Sequence, residues 1–206
     1  MEHPAFRRED RHLVHSGRFD IFTLSVRSPE GELLERDVVA HPGAVTIVAI
    51  EEDDIVFVRQ YRASVDAWLL ELPAGKLDPL PDGGVEDPAL CAQRELLEET
   101  GRQAGELELL ADFFVSPGWS DERIIIFLAT SLKRMSPSPQ GPEEQHMEVL
   151  RVPFPEVMRM VWNGELRDLK SVVALFLARE RLGHILPDCA VDGGGGGENS
   201  NERTGK

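Results

Sequence analysis

The chain has 206 residues, enough for one good-sized domain, and its 41% hydrophobic and 29% charged residues are typical of a soluble globular protein. The formal net charge of −15 argues against nonspecific binding to nucleic acid, because such binding needs lysines and arginines to displace counterions. The same charge implies that an anionic substrate would be received by a local group of cations or by a bound metal ion.

The sequence predicts neither a membrane span nor a disulfide framework. It contains no run of about 18 apolar residues, and its first ten residues lack the apolar region of a secretory signal. The only two cysteines are Cys91, which falls in a predicted helix, and Cys189, near a glycine-rich tail. We therefore expect a protein of the reducing cytoplasm.

The first part of the chain is predicted to be mostly β-structure. Its segments alternate or run apolar, are rich in β-branched residues, and are separated by turns that contain Pro, Gly or acidic residues. The strands before residue 41 are candidates for a separate small sheet. Periodicity alone does not decide whether they form one. The predicted strands are residues 18–27, 33–40, 44–50, 54–61 and 67–75.

A helix is predicted between Asp87 and Gly101. Asp87 suits the N-cap, Pro88 suits the first turn, and Gly101 suits the position that ends a helix. The side chains expected to face a core are those of Ala89, Leu90, Cys91 and Leu97.

The second part of the chain adds strands and two amphipathic helices. Strands separated by single helices indicate an α/β or α+β sandwich. From Asp188 onward the chain lacks the apolar surface that offsets the entropy of ordering, so residues 188–206 are predicted to be a disordered tail. The predicted segments are strands at 106–115, 123–130 and 147–154 and helices near 155–163 and 168–182.

The stretch RELLEETG places glutamates 95, 98 and 99 on one face of the predicted helix. These like charges repel one another and lie at the negative end of the helix dipole. Most acidic helix faces are simply solvated, but a local rule broken without a nearby benefit points to function. An oxygen-only ligand set suits Mg²⁺ or Mn²⁺, which usually also binds substrate phosphate. The residues themselves thus indicate chemistry on a phosphate ester or anhydride.

The same stretch resembles the core of the Nudix box, Gly-x5-Glu-x7-Arg-Glu-(apolar)-x-Glu-Glu-x-Gly-(apolar), with Glu86 at the required distance before Arg94. Two features depart from the pattern: ten residues rather than five separate Gly75 from Glu86, and Arg102 stands at the last apolar position. VRQYR, ELPAGKLD, SPGWSDE and LRDLKSVVALFLA resemble the ADP-ribose pyrophosphatase branch, in which a proline follows the box as Pro117 does here.

The resemblance extends over roughly residues 14–182 and implies, within the α/β class, a Nudix α/β/α sandwich with a mixed sheet. It also implies a small N-terminal antiparallel β-sheet domain over residues 1–41, exchanged within a homodimer, before a hydrolase domain over residues 42–187. A short three-stranded sheet buries too little apolar area to be stable alone, which supports an oligomer.

The implied function is metal-dependent hydrolysis of the pyrophosphate bond of ADP-ribose to AMP and ribose 5-phosphate. Another nucleotide sugar or dinucleotide, such as GDP-mannose, NADH or FAD, is the alternative substrate. A non-catalytic nucleotide-binding regulator is a further alternative, opposed by the intact glutamates and by the lack of a DNA-binding module. The implied partner is a small-molecule nucleoside diphosphate sugar, with no nucleic acid and no membrane.

The resemblance also assigns metal ligands. Glu95 and Glu99 are expected to be the principal ligands of Mg²⁺ (or Mn²⁺), and Glu99 is also counted as catalytic. Glu98 is expected to share or bridge, and the backbone carbonyl of Ala74 is expected to complete the site.

The remaining box residues and the general base are less closely determined. Glu86 either binds a further ion or orients the loop, and Arg94 is expected to pair with a helix glutamate. The base is expected from the loop before a late strand, where Glu144 is preferred to Glu143. An ungapped match to some relatives puts Gln145 at that place, and an amide takes no proton.

Substrate contacts are expected from cations and aromatic rings. Arg62 matches an arginine that the branch uses near the diphosphate, and a bidentate guanidinium suits that task. Adenine is expected to stack on Phe19 or Phe22. The histidines, His41 among them, form no metal-spaced pair and are interpreted as incidental. The other substrate-binding candidates are Arg59, Arg36, Trp119 and Glu122.

Overall fold

The computed structural model describes residues 5–135 and 146–183. Within these ranges, no helix is both long enough and apolar enough to cross a membrane. The helices are α1 Pro88–Thr100, α2 Phe154–Trp162 and α3 Leu169–Leu182. The strands are β1 Arg7–His15, β2 Asp20–Arg27, β3 Leu33–Ala40, β4 Ala44–Glu51, β5 Asp54–Arg62, β6 Ala67–Glu71, β7 Ala74–Lys76, β8 Arg102–Gln103, β9 Glu106–Phe114, β10 Arg123–Thr130, β11 Lys133–Arg134 and β12 Glu148–Pro153.

The largest sheet is mixed and has β4 near its centre. Its strand order is β12-β5-β4-β10-β9, with β6 paired to β5 and β7 paired to β4. β4 runs parallel to β10 and antiparallel to β5. Successive β4 side chains point to opposite faces, so Val48 joins one core cluster while Val45 and Ile47 join the other. A strand buried on both faces explains why this segment is continuously apolar.

Helices cover both faces of this sheet. On one face Cys91, Ala92 and Leu96 of α1 pack into the core. On the other face Val157 of α2 and Leu175 of α3 are fully buried. This arrangement confirms the predicted α/β/α sandwich with a mixed sheet.

Helix α1 begins and ends at the predicted residues. The side chain of Asp87 accepts hydrogen bonds from the backbone N–H groups of the first turn, at 2.9 and 3.1 Å. Pro88 is the first helical residue, and Gly101 ends the helix in the left-handed region, with a φ of 67°. The N–H of Gly101 donates to the carbonyl of Leu97. The predicted caps are therefore confirmed.

The predicted core face of α1 was wrong in part. Cys91 is buried, but Ala89 is exposed and Leu90 is 65% exposed. Ala92 and Leu96 supply the core face instead. Glu98 and Thr100 are also buried on this helix, so apolar character alone does not decide which side of α1 is buried.

A predicted single strand at 67–75 is divided into β6 and β7. Leu72 and Pro73 separate the two strands, and proline has no N–H to donate to a ladder. The carbonyl of Pro73 accepts from the N–H of Ile47 at 2.9 Å. The chain thereby crosses from β5 to β4 and brings Ala74 beside Thr46.

The N-terminal strands β1, β2 and β3 form an antiparallel sheet of their own. β1 was not among the predicted strands, because its many charged residues leave no alternation of apolar and polar residues to recognise. Every residue of β1 is exposed. Within these three strands Leu24 is the buried hydrophobic residue. β3 holds the sheet to the rest of the fold: Val39 donates to the carbonyl of Trp119 at 2.9 Å and accepts from Asp121 at 3.4 Å.

The segment between β7 and α1 is a small closed loop. The N–H of Glu86 donates to the carbonyl of Asp78 at 2.8 Å, and Leu80 donates to the carbonyl of Gly84 at 2.9 Å. This loop accommodates the residues that exceed the usual Nudix spacing. The predicted tail over 188–206 lies outside the described residues.

Candidate active site

A cavity of about 590 Å³ opens where β7 and α1 meet the connection between the two sheets. It combines carboxylates with several cations, although the chain as a whole has a net charge of −15. Its charged lining residues are Glu95, Glu99, Glu122, Arg18, Arg62, Lys76 and Lys170, and Phe19, His41, Ala74 and Gly75 also line it.

Two helix glutamates lie against the turn into β7. Ala74 donates its N–H to Oε2 of Glu99 at 3.0 Å. At Gly75 an added Cβ would lie only 1.8 Å from the carboxyl carbon of Glu95, so any larger residue would displace that carboxylate. The glycine of the Nudix pattern is thus explained by the close approach of a glutamate side chain.

Arg94 is the positive group among the glutamates. Its Nη1 donates to Glu95 at 2.8 Å and to Glu98 at 3.0 Å, and its Nη2 donates to Glu86 at 2.8 Å. The hydrogen bond between Arg94 and Glu86 lowers the pKa of Glu86 and raises that of Arg94. Glu86 also accepts from the N–H of Asp78 at 3.3 Å, a contact that orients the loop.

The glutamates at the cavity form an oxygen-only donor set. Within residues 5–135 and 146–183, no three His, Cys, Asp or Glu side chains are grouped so as to hold a metal ion together. Arg94 binds both Glu95 and Glu98, but of the three helix glutamates Glu95 and Glu99 line the cavity beside Ala74 and Glu98 does not. Such a set fits Mg²⁺, which binds one or two carboxylates and keeps its other positions for water and substrate phosphate.

A buried carboxylate, Glu71, holds two cations at the cavity. Its side chain is 1% exposed, and Nε and Nη2 of Arg62 donate to its two oxygens at 2.7 Å each. Lys170 contacts the same carboxylate and lies 2.9 Å from Asp168. Burial alone raises the pKa of Glu71, but the hydrogen bond from Arg62 and the charge of Lys170 outweigh it, so the pKa is lowered.

Sequence reasoning missed Glu71 and Lys170 as site residues. Both lie in stretches that resemble the ADP-ribose pyrophosphatase branch, ELPAGKLD and LRDLKSVVALFLA, which is the signal that could have found them. Their contact joins β6 to the first turn of α3, far apart in the chain, so no local pattern predicts it.

His41, interpreted from sequence as incidental, also lines the cavity. Its side chain is only 9% exposed and its ring stacks on Phe19, with 5.6 Å between ring centroids. Its Nε2 lies 4.0 Å from Oε1 of Glu122. Burial lowers the pKa of His41, although the charge of Glu122 acts in the opposite direction.

The predicted substrate residues separate into two groups. Arg62 and Glu122 line the cavity, as does Phe19 of the two alternative aromatic residues. The other predicted residues lie elsewhere in the described chain. Arg59 pairs with Glu148 at 3.2 Å on the surface.

Arg36 and Phe22 line a different cavity of about 410 Å³, which also contains Arg11. The guanidinium carbon of Arg11 lies 3.6 Å from the centroid of the Phe22 ring and covers it. Trp119 is 57% exposed and lines neither cavity. The two glutamates predicted to include the base, at positions 143 and 144, lie outside the described residues.

Comparison with known proteins agrees with this geometry. Residues 40–174 match the NUDIX domain. The chain is 41% identical to an ADP-ribose pyrophosphatase of Mycobacterium tuberculosis (strain ATCC 25618 / H37Rv) over 170 residues, 81% of this chain and 79% of the relative. It is 34% identical to an ADP-ribose pyrophosphatase of Bacillus subtilis (strain 168) over 164 residues, 79% of this chain and 86% of the relative.

The fold has a counterpart among solved structures. A crystal structure of an ADP compounds hydrolase superimposes with a TM-score of 0.74, covering 86% of this chain and 94% of the other at 24% identity. At that identity the likeness concerns the fold alone. With the match over residues 40–174, it follows that the chain belongs to the Nudix family.

Proposed function

We propose that the chain hydrolyses the pyrophosphate bond of ADP-ribose to AMP and ribose 5-phosphate with Mg²⁺ or Mn²⁺. The observation that carries this proposal is a single cavity in which Glu95 and Glu99 lie with Arg62 and Lys170. Nudix hydrolases generally need a divalent cation. The two ADP-ribose pyrophosphatase relatives support the choice of substrate.

The cations of the cavity receive the diphosphate. Because Glu71 binds two nitrogen atoms of Arg62, the guanidinium is held at the cavity wall before a ligand arrives. Such preorganisation lowers the entropy cost of binding. Arg18, Lys76 and Lys170 add positive charge there, which a strongly acidic chain needs if it is to attract an anion.

Glu95 and Glu99 are the residues proposed to hold the metal ion, with the Ala74 carbonyl as a further ligand. A divalent ion supplies polarisation of the phosphoryl oxygens and lowers the pKa of the attacking water. The chain itself orients the ligands: the N–H of Ala74 binds Glu99, and Nη1 of Arg94 binds Glu95. Glu98 would join as a ligand by turning away from Arg94.

Glu144 is proposed as the base that takes a proton from the attacking water, with Glu143 as the second candidate. This assignment rests on the sequence resemblance. Phe19 is proposed as the ring that stacks on adenine, because it lines the cavity and Phe22 lines another.

We also propose a homodimer in which the N-terminal strands are exchanged. Every residue of β1 is exposed, and apolar side chains of that sheet such as Val14 (59%) and Leu33 (52%) face outward. Phe114, at the end of β9, is likewise 61% exposed. A second copy would cover these surfaces.

A reducing cytoplasm is the proposed compartment, supported by the free, buried thiol of Cys91.

The test is a substrate panel of ADP-ribose, GDP-mannose, NADH and FAD with Mg²⁺ or Mn²⁺, with products identified by chromatography. We expect the highest kcat/KM for ADP-ribose, AMP and ribose 5-phosphate as products, and no turnover when the metal is chelated. Slower turnover of ADP-ribose than of another panel member would transfer the assignment to that substrate. Nucleotide binding without any turnover would favour a regulator. Light scattering on the same sample measures the proposed dimer.

A further inference from the structure

We propose that His41 is a specificity-determining residue, which together with Glu122 recognises a sugar hydroxyl group of the substrate. This inference rests on the proposed function, because it assigns the sugar contact within the same cavity. It gives a role to a histidine that the sequence did not single out.

The His41 ring is held in one place by its surroundings. His41 lies in the connection between β3 and β4, and its backbone N–H donates to Oδ1 of Asp121 at 2.7 Å. Its ring is stacked on that of Phe19 at an angle of 24°. With 9% of its side chain exposed, His41 is closely enclosed and opens only a small part of its surface to the cavity.

The hydrogen bond at Nδ1 determines which ring nitrogen donates. The N–H of Gly43 donates to Nδ1 of His41 at 3.1 Å. A nitrogen that accepts carries no proton, so the proton of the neutral ring lies on Nε2. Burial lowers the pKa of His41 and the charge of Lys76 acts in the same direction, against Glu122 and Asp121, so the ring is neutral at pH 7.

The turn that makes this bond requires glycine. Gly43 has a φ of 96°, in the left-handed region that other residues rarely adopt. A Cβ at this position would also lie 3.2 Å from Cδ1 of Leu77. The sequence His-Pro-Gly therefore sets the direction of the imidazole donor.

Nε2 of His41 and the carboxylate of Glu122 do not form a hydrogen bond with each other. Nε2 of His41 and Oε1 of Glu122 are 4.0 Å apart, beyond the range of about 2.7–3.2 Å for a hydrogen bond. Both residues line the cavity. A hydroxyl group can bridge them from the cavity side, because its oxygen accepts from Nε2–H while its hydrogen donates to the carboxylate. A phosphate oxygen would be repelled by Glu122, and a carbonyl oxygen could not donate to it.

A nucleoside diphosphate sugar carries hydroxyl groups on two sugars. One belongs to the nucleoside and the other lies beyond the diphosphate. Either sugar could make the same hydroxyl contact with His41 and Glu122. A substrate analogue that lacks the hydroxyl groups of one sugar shows which of the two sugars makes it.

Two amide substitutions of His41 separate the role of Nε2 from that of Nδ1. His41→Asn keeps an acceptor for the Gly43 N–H and removes the donor toward Glu122, whereas His41→Gln reaches the Nε2 position with an amide N–H. We expect His41→Asn to raise the KM for ADP-ribose about tenfold with kcat within about threefold, since one hydrogen bond to a charged or polar group is lost. His41→Gln should restore KM to within about threefold of wild type.

The analogue arms identify the sugar. KM values for ADP-ribose, for its 2′,3′-dideoxyadenosine analogue and for an analogue with a deoxygenated terminal sugar are measured for the wild type, His41→Asn and Glu122→Gln. The increase in KM that each variant causes should disappear for one of the two analogues only. In the double variant the penalties should not add, because both residues read one group.

Three results would overturn the inference: His41→Asn equal to wild type, His41→Gln worse than His41→Asn, or the same penalty for all three substrates. The second result would mean that only the Gly43 contact matters. Thermal unfolding of each variant shows whether it is folded, and Glu122→Gln tests the pair even if a His41 variant is not. If the wild type cleaves another panel substrate and not ADP-ribose, the proposed function fails, and deoxy analogues of that substrate test the pair.

Discussion

Glu51 and Glu71 are both shielded carboxylates bound by arginine, yet they lie in different kinds of surroundings. The side chain of Glu71 is 1% exposed, and the two cations that it binds, Arg62 and Lys170, both line the active-site cavity. The side chain of Glu51 is 11% exposed and stands at the end of β4, while Ala44 at the start of β4 lines the active-site cavity.

The arginines around Glu51 join segments of the fold to one another. Arg134 lies 2.7 Å, Arg102 3.1 Å and Arg151 3.3 Å from the Glu51 carboxylate. Arg102, the departure from the apolar position of the Nudix pattern, also donates to the carbonyl of Thr100 at 2.7 Å, at the end of α1. The cluster thus fastens α1, β11 and β12 to the central strand.

A shielded carboxylate bound by arginine does not by itself mark a functional site. Glu51 borders a cavity of about 520 Å³, but the described lining of that cavity includes Glu52 and Asp53 and no lysine or arginine. Such a cavity repels an anion. Around Glu71 the cations line the cavity, together with Glu95 and Glu99, the glutamates proposed to hold the metal ion.

The largest expected effect is that of Glu99→Gln. The amide keeps the shape and an oxygen for the Ala74 N–H but removes the charge that is proposed to bind the metal. We expect kcat to fall about 10³-fold, since several kcal/mol of transition-state stabilisation are lost. Steady-state kinetics in excess Mg²⁺ measure the change, with Glu156→Gln on the exposed face of α2 as the matched control. An unchanged rate would remove Glu99 from the site.

Arg62→Lys tests the cation side of the cavity. A lysine carries a single point charge and cannot bind both oxygens of Glu71, so the positive group is no longer fixed. We expect kcat/KM for ADP-ribose to fall about 10–100-fold, the equivalent of one or two charged hydrogen bonds. Arg159→Lys, which alters an exposed arginine paired with Glu156, is the control. Equal kinetics for both variants would contradict the proposed diphosphate contact.

Glu51→Gln is expected to affect stability and not activity. Removing this charge leaves three arginines without their common partner, and we expect a loss of about 1–3 kcal/mol in the free energy of unfolding. The kcat/KM should stay within about threefold of wild type, whereas Glu71→Gln should reduce both quantities. Urea denaturation and steady-state kinetics on the same preparations check this. A loss of activity in Glu51→Gln as large as in Glu71→Gln would erase the distinction between the two clusters.

The smallest effect is the pH dependence of that stability difference. Hydrogen bonds from Arg134 and Arg102 lower the pKa of Glu51 from 4.5 to about 2, against the effect of burial. A carboxylate with a lowered pKa stabilises the folded state above the unfolded pKa and loses this effect as the pH falls toward the folded pKa. The difference in Tm between wild type and Glu51→Gln should be constant from pH 7 to 5 and shrink from pH 4.5 downward. A constant difference down to pH 3 would contradict the lowered pKa.

Local patterns in the sequence predicted what depends on neighbouring residues. The caps Asp87 and Gly101 act on backbone groups within a few residues of themselves, so they fix the bounds of α1. The i, i+3, i+4 spacing put Glu95 and Glu99 on one face, and both line one cavity. The apolar run of β4 likewise predicted a strand, which the structure buries on both faces.

Other features depend on contacts that no local pattern contains. Glu71 meets Lys170 only because the fold brings the end of β6 beside the first turn of α3. His41 is held in place by its hydrogen bonds with Gly43 and Asp121. A single histidine has no characteristic spacing to other residues, so the sequence did not reveal its position. Which of Phe19 and Phe22 lines the active-site cavity depends on the register of the small sheet. The first strand of that sheet is rich in charged residues and was not predicted from the sequence.

The closed loop before α1 allows the number of residues between β7 and α1 to vary without a change in the geometry of the site. Glu86 and Asp78 are joined by 2.8 and 3.3 Å hydrogen bonds, so the residues between them form an excursion whose two ends stay together. We expect changes in the length of that excursion to leave the close approach of Gly75 to Glu95 unchanged. The segment is therefore a natural point at which to graft an epitope or fluorophore.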